Sequence, residues 1–474
     1  MELLSPDLFH FTIFIISLTL VFIWKIKSRP AYNLPHGNKS WPFIGETLEF
    51  FLAGKRGEPE KFIDDRTSKY STDVFRMSML GKDVAVFCSE DANKFLLSTA
   101  NKYLKVWLPE ASQKAIGATV HDVEKLRSVL PEFLKTDALK HYIPIMDSMA
   151  KQHLEADWLP NKEVKALQLL KKLTLALACK LFLNVTAAED ISRIEKPFAA
   201  LVEGMLSIPI NFPGTAYRGA LKATKIIHKN ILSIIEKRRR ELSQHAESVA
   251  PDLLTRILLK TDEDGKAAFS EKEIPSMIVA LLMASHDTIT SAIVFVLKYL
   301  AENPSVYSEV LKEQMEIGSS KGPGELLNWN DVQNMKYSWC VGCESLRIAP
   351  PSQGNFREAI ADFTYQGFTI PKGWKAYWSP YSTHKNPKYF KDPEKFEPSR
   401  FQRNPPPPYT YVPFGRGPHM CPGKEFARIG MLVFMHNIVT KFKWQTIIPD
   451  EKITFTATII PAEGLPIRLQ PHDN

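Results

Sequence analysis

A chain of 474 residues, with 44% hydrophobic and 24% charged residues, has the composition of a globular protein, which excludes a mainly disordered chain. The formal net charge is +8, but neither zinc-finger spacing nor an aromatic-basic ribonucleoprotein motif accompanies it, so we expect no nucleic-acid partner. Five scattered cysteines, an odd number, argue against a disulfide framework and indicate a reducing compartment.

The N-terminal segment predicts a membrane anchor. Residues 8–24 read LFHFTIFIISLTLVFIW, which is at the short end of what spans a bilayer. Lys25, Lys27 and Arg29 follow, and this excess of cations places the rest of the chain in the cytosol. A cleaved signal peptide is the alternative, but its charges would precede the apolar stretch, and no Ala-x-Ala site follows. We therefore expect residues 1–29 to form an uncleaved single-pass anchor.

The rest of the chain shows little sign of subdivision. Residues 30–42 contain three prolines, in PAYNLPHG and WP, which predict a stiff, non-helical hinge. Helical patterns dominate from about residue 120 to 345, and short strand-like, turn-rich segments from about 350 to 412. Residues 43–474 are therefore expected to form one large domain that is mostly α with small β-sheets.

A long apolar helix is predicted over residues 277–300, interrupted by the sequence ASHDT at 284–288. Asp287 and Thr288 would be costly to bury in such a helix without a partner or a purpose. The alternative is structural: hydroxyl groups in a helix can bond back to carbonyls four residues earlier. Taken alone, that alternative is the better interpretation, and we interpret His286 as structural.

Two further motifs lie close together in the next helical segment. Cys340 and Cys343 form a C-x-x-C without a second pair or a histidine set, so they indicate buried thiols rather than a metal site. Glu344 and Arg347 are three residues apart, share a helix face and can pair. Such pairs are common by chance and contribute little on a surface.

Cys421 lies in the sequence FGRGPHMCPG, where glycines and prolines forbid a continuing helix and impose a tight loop. Residues from Lys424 onward then have helical periodicity. Cys421 therefore lies at a helix start, where free N–H groups and the helix dipole stabilise a thiolate. Gly423 suits a flat cofactor lying against the backbone.

The spacing of Phe414, Gly417, Cys421 and Gly423 resembles the Phe-x-x-Gly-x-x-x-Cys-x-Gly signature of the cytochrome P-450 superfamily. The resemblance implies the P-450 fold, haem b, and Cys421 as the proximal thiolate ligand of the haem iron. It also implies that Thr288 hydrogen-bonds dioxygen while Asp287 feeds protons inward. Glu344, Arg347 and Arg400 would form a buried network that supports the haem loop.

The same resemblance offers four candidates for binding the haem propionates. They are Arg127, Arg357, His384 and His419. Most relatives carry Arg in the place of His419, and a mostly neutral imidazole is a poorer partner for a carboxylate. We therefore predict that His419→Arg tightens haem retention.

Shorter segments along the chain look like the plant group that oxidises pentacyclic triterpenes such as β-amyrin. They read WPFIGET at 41–47, FREA at 356–359, GWK at 373–375, STHKNP at 382–387 and MCPGKE at 420–425. Membership would imply hydroxylation of a triterpene, with electrons from NADPH delivered by a membrane-bound cytochrome P-450 reductase. It would also imply an anchor in the endoplasmic reticulum.

The resemblance places the substrate pocket on largely apolar residues, consistent with a lipophilic molecule entering from the bilayer. They are Trp107, Leu108, Ala280, Ala284, Pro351, Ser352 and Ile459. Three alternatives remain: a diterpenoid or sterol oxidase of the same clan, a haem-thiolate isomerase or dehydratase that needs no dioxygen, and a silent haem- or lipid-binding protein. The pair Asp287 and Thr288 argues against the second, whereas His419 and Ser285 make the third conceivable.

Overall fold

The computed structural model describes residues 32–38, 45–71, 73–99, 101–244, 252–403, 405–455 and 458–472, and five isolated positions before residue 20. Apart from those five positions, the predicted anchor lies outside the described residues, as does part of the predicted hinge. The helices are α1 Thr47–Arg56, α2 Pro59–Lys69, α3 Glu90–Ser98, α4 Glu110–Ile116, α5 Val120–Phe133, α6 Thr136–His153, α7 Ala166–Leu183, α8 Ala188–Met205, α9 Ala216–Gln244, α10 Leu253–Leu259, α11 Glu273–Glu302, α12 Pro304–Ser319, α13 Trp329–Asn334, α14 Lys336–Ile348, α15 Tyr381–His384, α16 Arg400–Arg403 and α17 Lys424–Lys441.

The strands are short and form separate small sheets. They are β1 Val74–Met79, β2 Lys82–Phe87, β3 Leu104–Val106, β4 Glu163–Lys165, β5 Asn355–Ala359, β6 Phe363–Tyr365, β7 Phe368–Ile370, β8 Lys375–Trp378, β9 Phe442–Thr446, β10 Ile453–Phe455, β11 Ile459–Pro461 and β12 Pro466–Pro471. A five-stranded sheet has the order β1-β2-β8-β5-β3, in which β2 and β8 are parallel. The remaining described sheets have the orders β4-β12-β9, β6-β7 and β10-β11.

The helical core is built around α11, which packs against α7 and α17. This helix is long and apolar enough to cross a membrane, but 72% of its most hydrophobic window is buried inside the protein. Its apolar composition therefore reflects burial of most of its surface within a large core. On α6, the buried carboxylate of Asp147 accepts hydrogen bonds from the Asn437 side chain of α17 at 2.7 Å and from the Leu327 N–H at 2.9 Å. Both bonds satisfy a charge that would otherwise be costly to bury.

The five-stranded sheet carries one candidate site residue directly. Strand β3 pairs with β5, so that Val106 lies opposite Arg357, and Trp107 follows at the end of β3. The Trp107 ring lies against Phe356 with centroids 5.6 Å apart. The sheet therefore fixes both Arg357 and Trp107 relative to the helical core.

The predicted fold class, mostly α with small β-sheets, is confirmed. The long apolar helix predicted over 277–300 extends by a few residues at each end, and the helix predicted from Lys424 is present. The strands β1 to β4 and β9 to β12 fall outside the segment of residues 350–412 in which strands are predicted.

Candidate active site

Cys421 lies in a closed loop immediately before α17. Its N–H donates to the carbonyl of Phe414 at 2.9 Å, which closes the loop. Gly417 has a φ of 72°, and a Cβ there would come within 2.2 Å of the Leu97 carbonyl oxygen. At Gly423, a Cβ would meet only the Sγ of Cys421, at 3.9 Å, so this glycine keeps the space beside the sulfur open. Cys421 is half-buried, whereas the other four cysteines are buried.

At the helix start the Gly423 N–H lowers the pKa of the Cys421 thiol, as expected, but it is not the largest influence on that pKa. Burial raises the pKa of the Cys421 thiol, and this outweighs the Gly423 N–H and Arg127, which both act to lower it. A coordinated metal ion removes the proton from a thiol outright. The loop therefore suits a thiolate whose charge is neutralised by iron rather than a free reactive thiolate.

A group of cationic side chains surrounds the same loop. Arg127 on α5 donates to the carbonyls of Pro418 at 3.2 Å and Met420 at 3.0 Å. Arg357 is 7% exposed, and burial together with Arg127 lowers its pKa to about 10. Burial and the same two arginines lower the pKa of His419.

Within the part of the chain that the structure describes, no ion pair joins Arg127 or Arg357 to a carboxylate. Burying a guanidinium group without an anion is unfavourable, so the pair is suited to an acidic ligand. The two arginines are suited to the two propionates of haem b, and the cysteine in the adjacent loop is suited to its iron. Arg127, Arg357 and His419 therefore lie close enough to interact, and their role in binding the propionates stays a prediction.

A buried charge network lies behind the loop. Arg347 donates to Glu344 through Nε at 2.8 Å and Nη2 at 2.9 Å, and both side chains are fully buried. Arg400 donates from Nε to the same carboxylate at 3.2 Å, and the Glu397 N–H adds a bond at 2.9 Å. The predicted pairing of Glu344, Arg347 and Arg400 is therefore present in the structure.

His384 belongs to this network and not to the propionate site, which corrects the sequence prediction. Its ring is 0% exposed, and its Nε2 accepts the Val412 N–H at 2.8 Å. The ring stacks on Tyr411, and its own carbonyl accepts from Arg347 at 2.9 Å. Protein atoms therefore enclose the ring on all sides, and burial lowers its pKa to about 3. His384 links the network to the chain segment that enters the Cys421 loop.

The centre of α11 presents two different faces. Ala284 is exposed although its helix is mostly buried, and Thr288 is half-buried on the same face. The Thr288 hydroxyl donates back to the Ala284 carbonyl at 2.6 Å. The back-bonded geometry foreseen as the structural alternative is therefore present, but on a face that borders open space.

Asp287 points toward α7. Its Oδ1 lies 3.8 Å from the Nζ of Lys171, whose side chain is 38% exposed, and 3.2 Å from Nδ1 of His286. The Oδ2 atom is buried without a hydrogen-bond partner among the described residues. His286 donates from Nε2 to the Lys171 carbonyl at 3.1 Å and packs edge-on against Phe198. These contacts support the structural interpretation of His286.

The predicted substrate residues divide into two groups. Trp107, Leu108, Ala280, Ala284 and Ser352 have accessible surface, on the turn after β3, on α11 and before β5. Pro351 and Ile459 are buried, and the Ile459 carbonyl accepts from Ser291 at 2.7 Å, which fastens β11 to α11. Ile459 lines a cavity next to Phe455 and Tyr381, so burial does not exclude a substrate contact there, and the role of Pro351 and Ile459 as pocket residues stays a prediction.

Two residues at the site carry no signal in the sequence. Asn101 accepts a hydrogen bond from His419 Nε2 at 2.7 Å, and Lys171 lies beside Asp287. Asn101 is 318 positions from its partner, so no local pattern could have predicted the contact.

The two cysteines of the C-x-x-C sequence, Cys340 and Cys343, are buried on α14 as expected, and burial raises the pKa of Cys343 to about 12.

The chain is similar to proteins of one family over almost its whole length. The family model described as Cytochrome P450 matches residues 35–464. Beta-amyrin 6-beta-monooxygenase of Solanum lycopersicum is 48% identical over 471 residues, covering 97% of this chain and 98% of that protein. Beta-amyrin 28-monooxygenase of Kalopanax septemlobus is 46% identical over 480 residues, covering 100% of both. Among solved structures, retinoic acid bound cyanobacterial CYP120A1 has a TM-score of 0.82 at 28% identity, covering 93% of this chain and 100% of that chain.

Proposed function

Because the chain belongs to the cytochrome P450 family and is therefore a haem-thiolate monooxygenase, we propose that it hydroxylates a β-amyrin-type pentacyclic triterpene. The observation that carries this proposal is similarity of 46–48% along the full chain to monooxygenases named for β-amyrin. Those relatives are named for different positions on the same compound, 6-beta and 28. The substrate class is therefore the property they share, and the position oxidised is specific to each enzyme.

The family uses haem b, dioxygen and electrons from NADPH delivered by a reductase, and when bound the haem supplies oxygen activation. In this chain Cys421 would hold the iron, and Arg127, Arg357 and His419 would hold the propionates. Glu344, Arg347 and Arg400 would keep the loop in place through the backbone contacts of His384. The role of Cys421 follows from its position in the loop. The roles of the other residues follow from their positions in the cationic group or in the buried network.

On α11, Thr288 and Asp287 would act in proton transfer. The pair of Lys171 and Asp287 runs from a partly exposed amine to a buried carboxylate, so it connects the surface with the interior of α11. The free Oδ2 of Asp287 can accept a proton or a water molecule. Thr288, next along the helix, presents its hydroxyl to the open face. We assign proton entry to Asp287 and proton placement to Thr288.

The proposed location is the endoplasmic reticulum membrane, with the catalytic domain of residues 43–474 in the cytosol and residues 30–42 as hinge. The apolar segment of residues 8–24 and the cations after it support this orientation. The connection between α8 and α9 adds a second apolar surface, with Ile208 75%, Ile210 55% and Phe212 65% exposed. Exposed apolar side chains grouped on one loop are typical of contact with lipid. A lipophilic substrate would then enter from the membrane.

The proposal is tested by co-expressing the full chain with a plant reductase in yeast that makes β-amyrin. We expect a product heavier than β-amyrin by one oxygen atom, which takes its label from ¹⁸O₂ and requires NADPH. A Cys421→Ser variant at equal protein level is the matched control, and it should give no product.

Parallel hosts that make lupeol, a sterol or a diterpene separate the remaining substrate classes. Oxidation of a diterpene or sterol, with β-amyrin unchanged, would overturn the triterpene proposal and leave the monooxygenase assignment intact. A rearranged product of unchanged oxygen content, formed without dioxygen uptake, would indicate an isomerase or dehydratase.

A further inference from the structure

Asn101 lies in the connection between α3 and β3 and contacts the Cys421 loop. Its backbone is in the left-handed region, with a φ of 77°, and its N–H donates to the Leu104 carbonyl at 3.0 Å. This turn directs the side chain outward, where Oδ1 accepts a hydrogen bond from Nε2 of His419 at 2.7 Å. We propose that Asn101 is a positioning residue, which holds the His419 ring in the orientation needed to retain haem.

A second contact joins the same two segments. Gly417 packs so closely against α3 that a Cβ there would overlap the Leu97 carbonyl oxygen at 2.2 Å. The turn of Gly417–His419 therefore contacts α3 at its first residue and the α3–β3 connection at its last. On its other side, Arg127 donates to the carbonyls of Pro418 and Met420. The loop before Cys421 thus lies between Arg127 on one side and Asn101 on the other.

The chemistry of this contact explains why a histidine needs such a partner. A guanidinium group presents five N–H donors in a fixed planar fork, so it can meet a carboxylate in several ways. An imidazole ring has two nitrogens and can turn about its side-chain bonds. With Nε2 bonded to Asn101, Nδ1 is the nitrogen left for an acidic group, beside Arg127 and Arg357. Asn101 therefore supplies the orientation that the ring lacks by itself.

The contact is tested in the haem-loaded full chain by measuring the rate of haem transfer to excess apomyoglobin. Asn101→Gly preserves the left-handed backbone and removes the carboxamide. We expect haem transfer to become about two- to tenfold faster, as the loss of one hydrogen bond produces. Asn101→Asp keeps an acceptor oxygen in place and should transfer haem at the original rate.

Asn184→Gly is the matched control. Asn184 is also left-handed, with a φ of 51°, but it caps α7 and bonds to Lys180 instead of the loop. Haem transfer should be unchanged by this substitution. If Asn101→Gly cannot be purified with haem, Asn101→Ser serves in its place, because a hydroxyl group is too short to reach His419. Transfer at the original rate from Asn101→Gly or Asn101→Ser would overturn the proposal.

A double-mutant cycle separates positioning from a structural role of the turn. In a His419→Ala background, Asn101→Gly should have no further effect on haem transfer, because the ring it positions is gone. An undiminished effect in that background would show that Asn101 only stabilises its own turn, and would also overturn the proposal. The measurement depends on haem binding and not on substrate, so its failure is distinguishable from failure of the triterpene proposal.

Discussion

The Cys421 side of the candidate active site is held by buried charges and backbone hydrogen bonds, whereas the face of α11 with Ala284 and Thr288 has no such network among the described residues. On the Cys421 side, Glu344 and Arg347 are fully buried and their bonds extend to the segment around His384. On the α11 face, Thr288 bonds only within its own helix. We infer from this difference that the Cys421 side keeps the cofactor loop in position, whereas the α11 face leaves polar groups available to contact reactants. Substitutions should therefore affect folding and haem retention on the first side, and turnover on the second.

The largest expected effect comes from breaking the buried network. Glu344→Ala leaves Arg347 buried without a counter-charge, which should lower the free energy of unfolding by about 3–5 kcal/mol. The control is Glu425→Ala, because Glu425 and Arg428 form the same three-residue spacing on α17 with Glu425 47% exposed. That pair should contribute about 1 kcal/mol or less. Equal losses in chemical denaturation of the two variants would contradict the distinction between buried and exposed pairs.

Acidification should destabilise the packed side next. Burial lowers the pKa of His436 on α17 from 6.5 to about 4, so the folded state keeps this ring neutral. The unfolded chain takes up the proton first, and the stability is present above pH 6.5 and lost as the pH falls toward 4. The loss should be on the order of 3 kcal/mol from this ring. His384, with a pKa lowered to about 3, should extend the loss to lower pH.

The melting temperature between pH 7 and pH 4 checks this prediction. His436→Gln should flatten the profile, because glutamine does not titrate. His121→Gln, on the exposed surface of α5, should leave the profile unchanged. A profile that stays steep in the His436 variant would assign acid instability to other groups.

The opposite side is tested by Thr288→Ala. Product formation should fall at least about tenfold, because a positioned proton-transfer group is lost. Unfolding free energy should change little, since the hydroxyl bonds only to its own helix. Thr290→Ala is the matched control, as Thr290 is buried and bonds to Thr174 at 2.8 Å. This variant should have a lower free energy of unfolding and the original ratio of product to NADPH consumed. An unchanged free energy of unfolding with a lower ratio would contradict our assignment of the two faces.

The smallest effect is expected at the edge between the two sides. His419→Arg should slow haem transfer to apomyoglobin about two- to tenfold, because a permanently charged group meets the propionate with more donors. Haem transfer that is unchanged or faster would show that His419 already serves as well as arginine does.

Much of this protein could be predicted from local sequence. The loop of Cys421, the start of α17 and the long α11 depend on glycine and proline positions and on apolar periodicity within a few turns. Glu344 and Arg347 are three residues apart on one helix, so their pairing follows from helical geometry. The strands β1 and β2 were missed, because β2 is stabilised by pairing with β8, almost 300 residues later.

The sequence by itself indicated the class of fold and the family, and it predicted Cys421 as the ligand of the iron, since each depends on short motifs with fixed spacing. Only the tertiary structure decided which polar residues meet. It enclosed His384 in the network, turned Asp287 toward Lys171 and placed Asn101 against His419. Contacts of this kind depend on the packing of segments that lie far apart in the chain. They carry no local pattern, because the residues flanking either partner do not indicate the other.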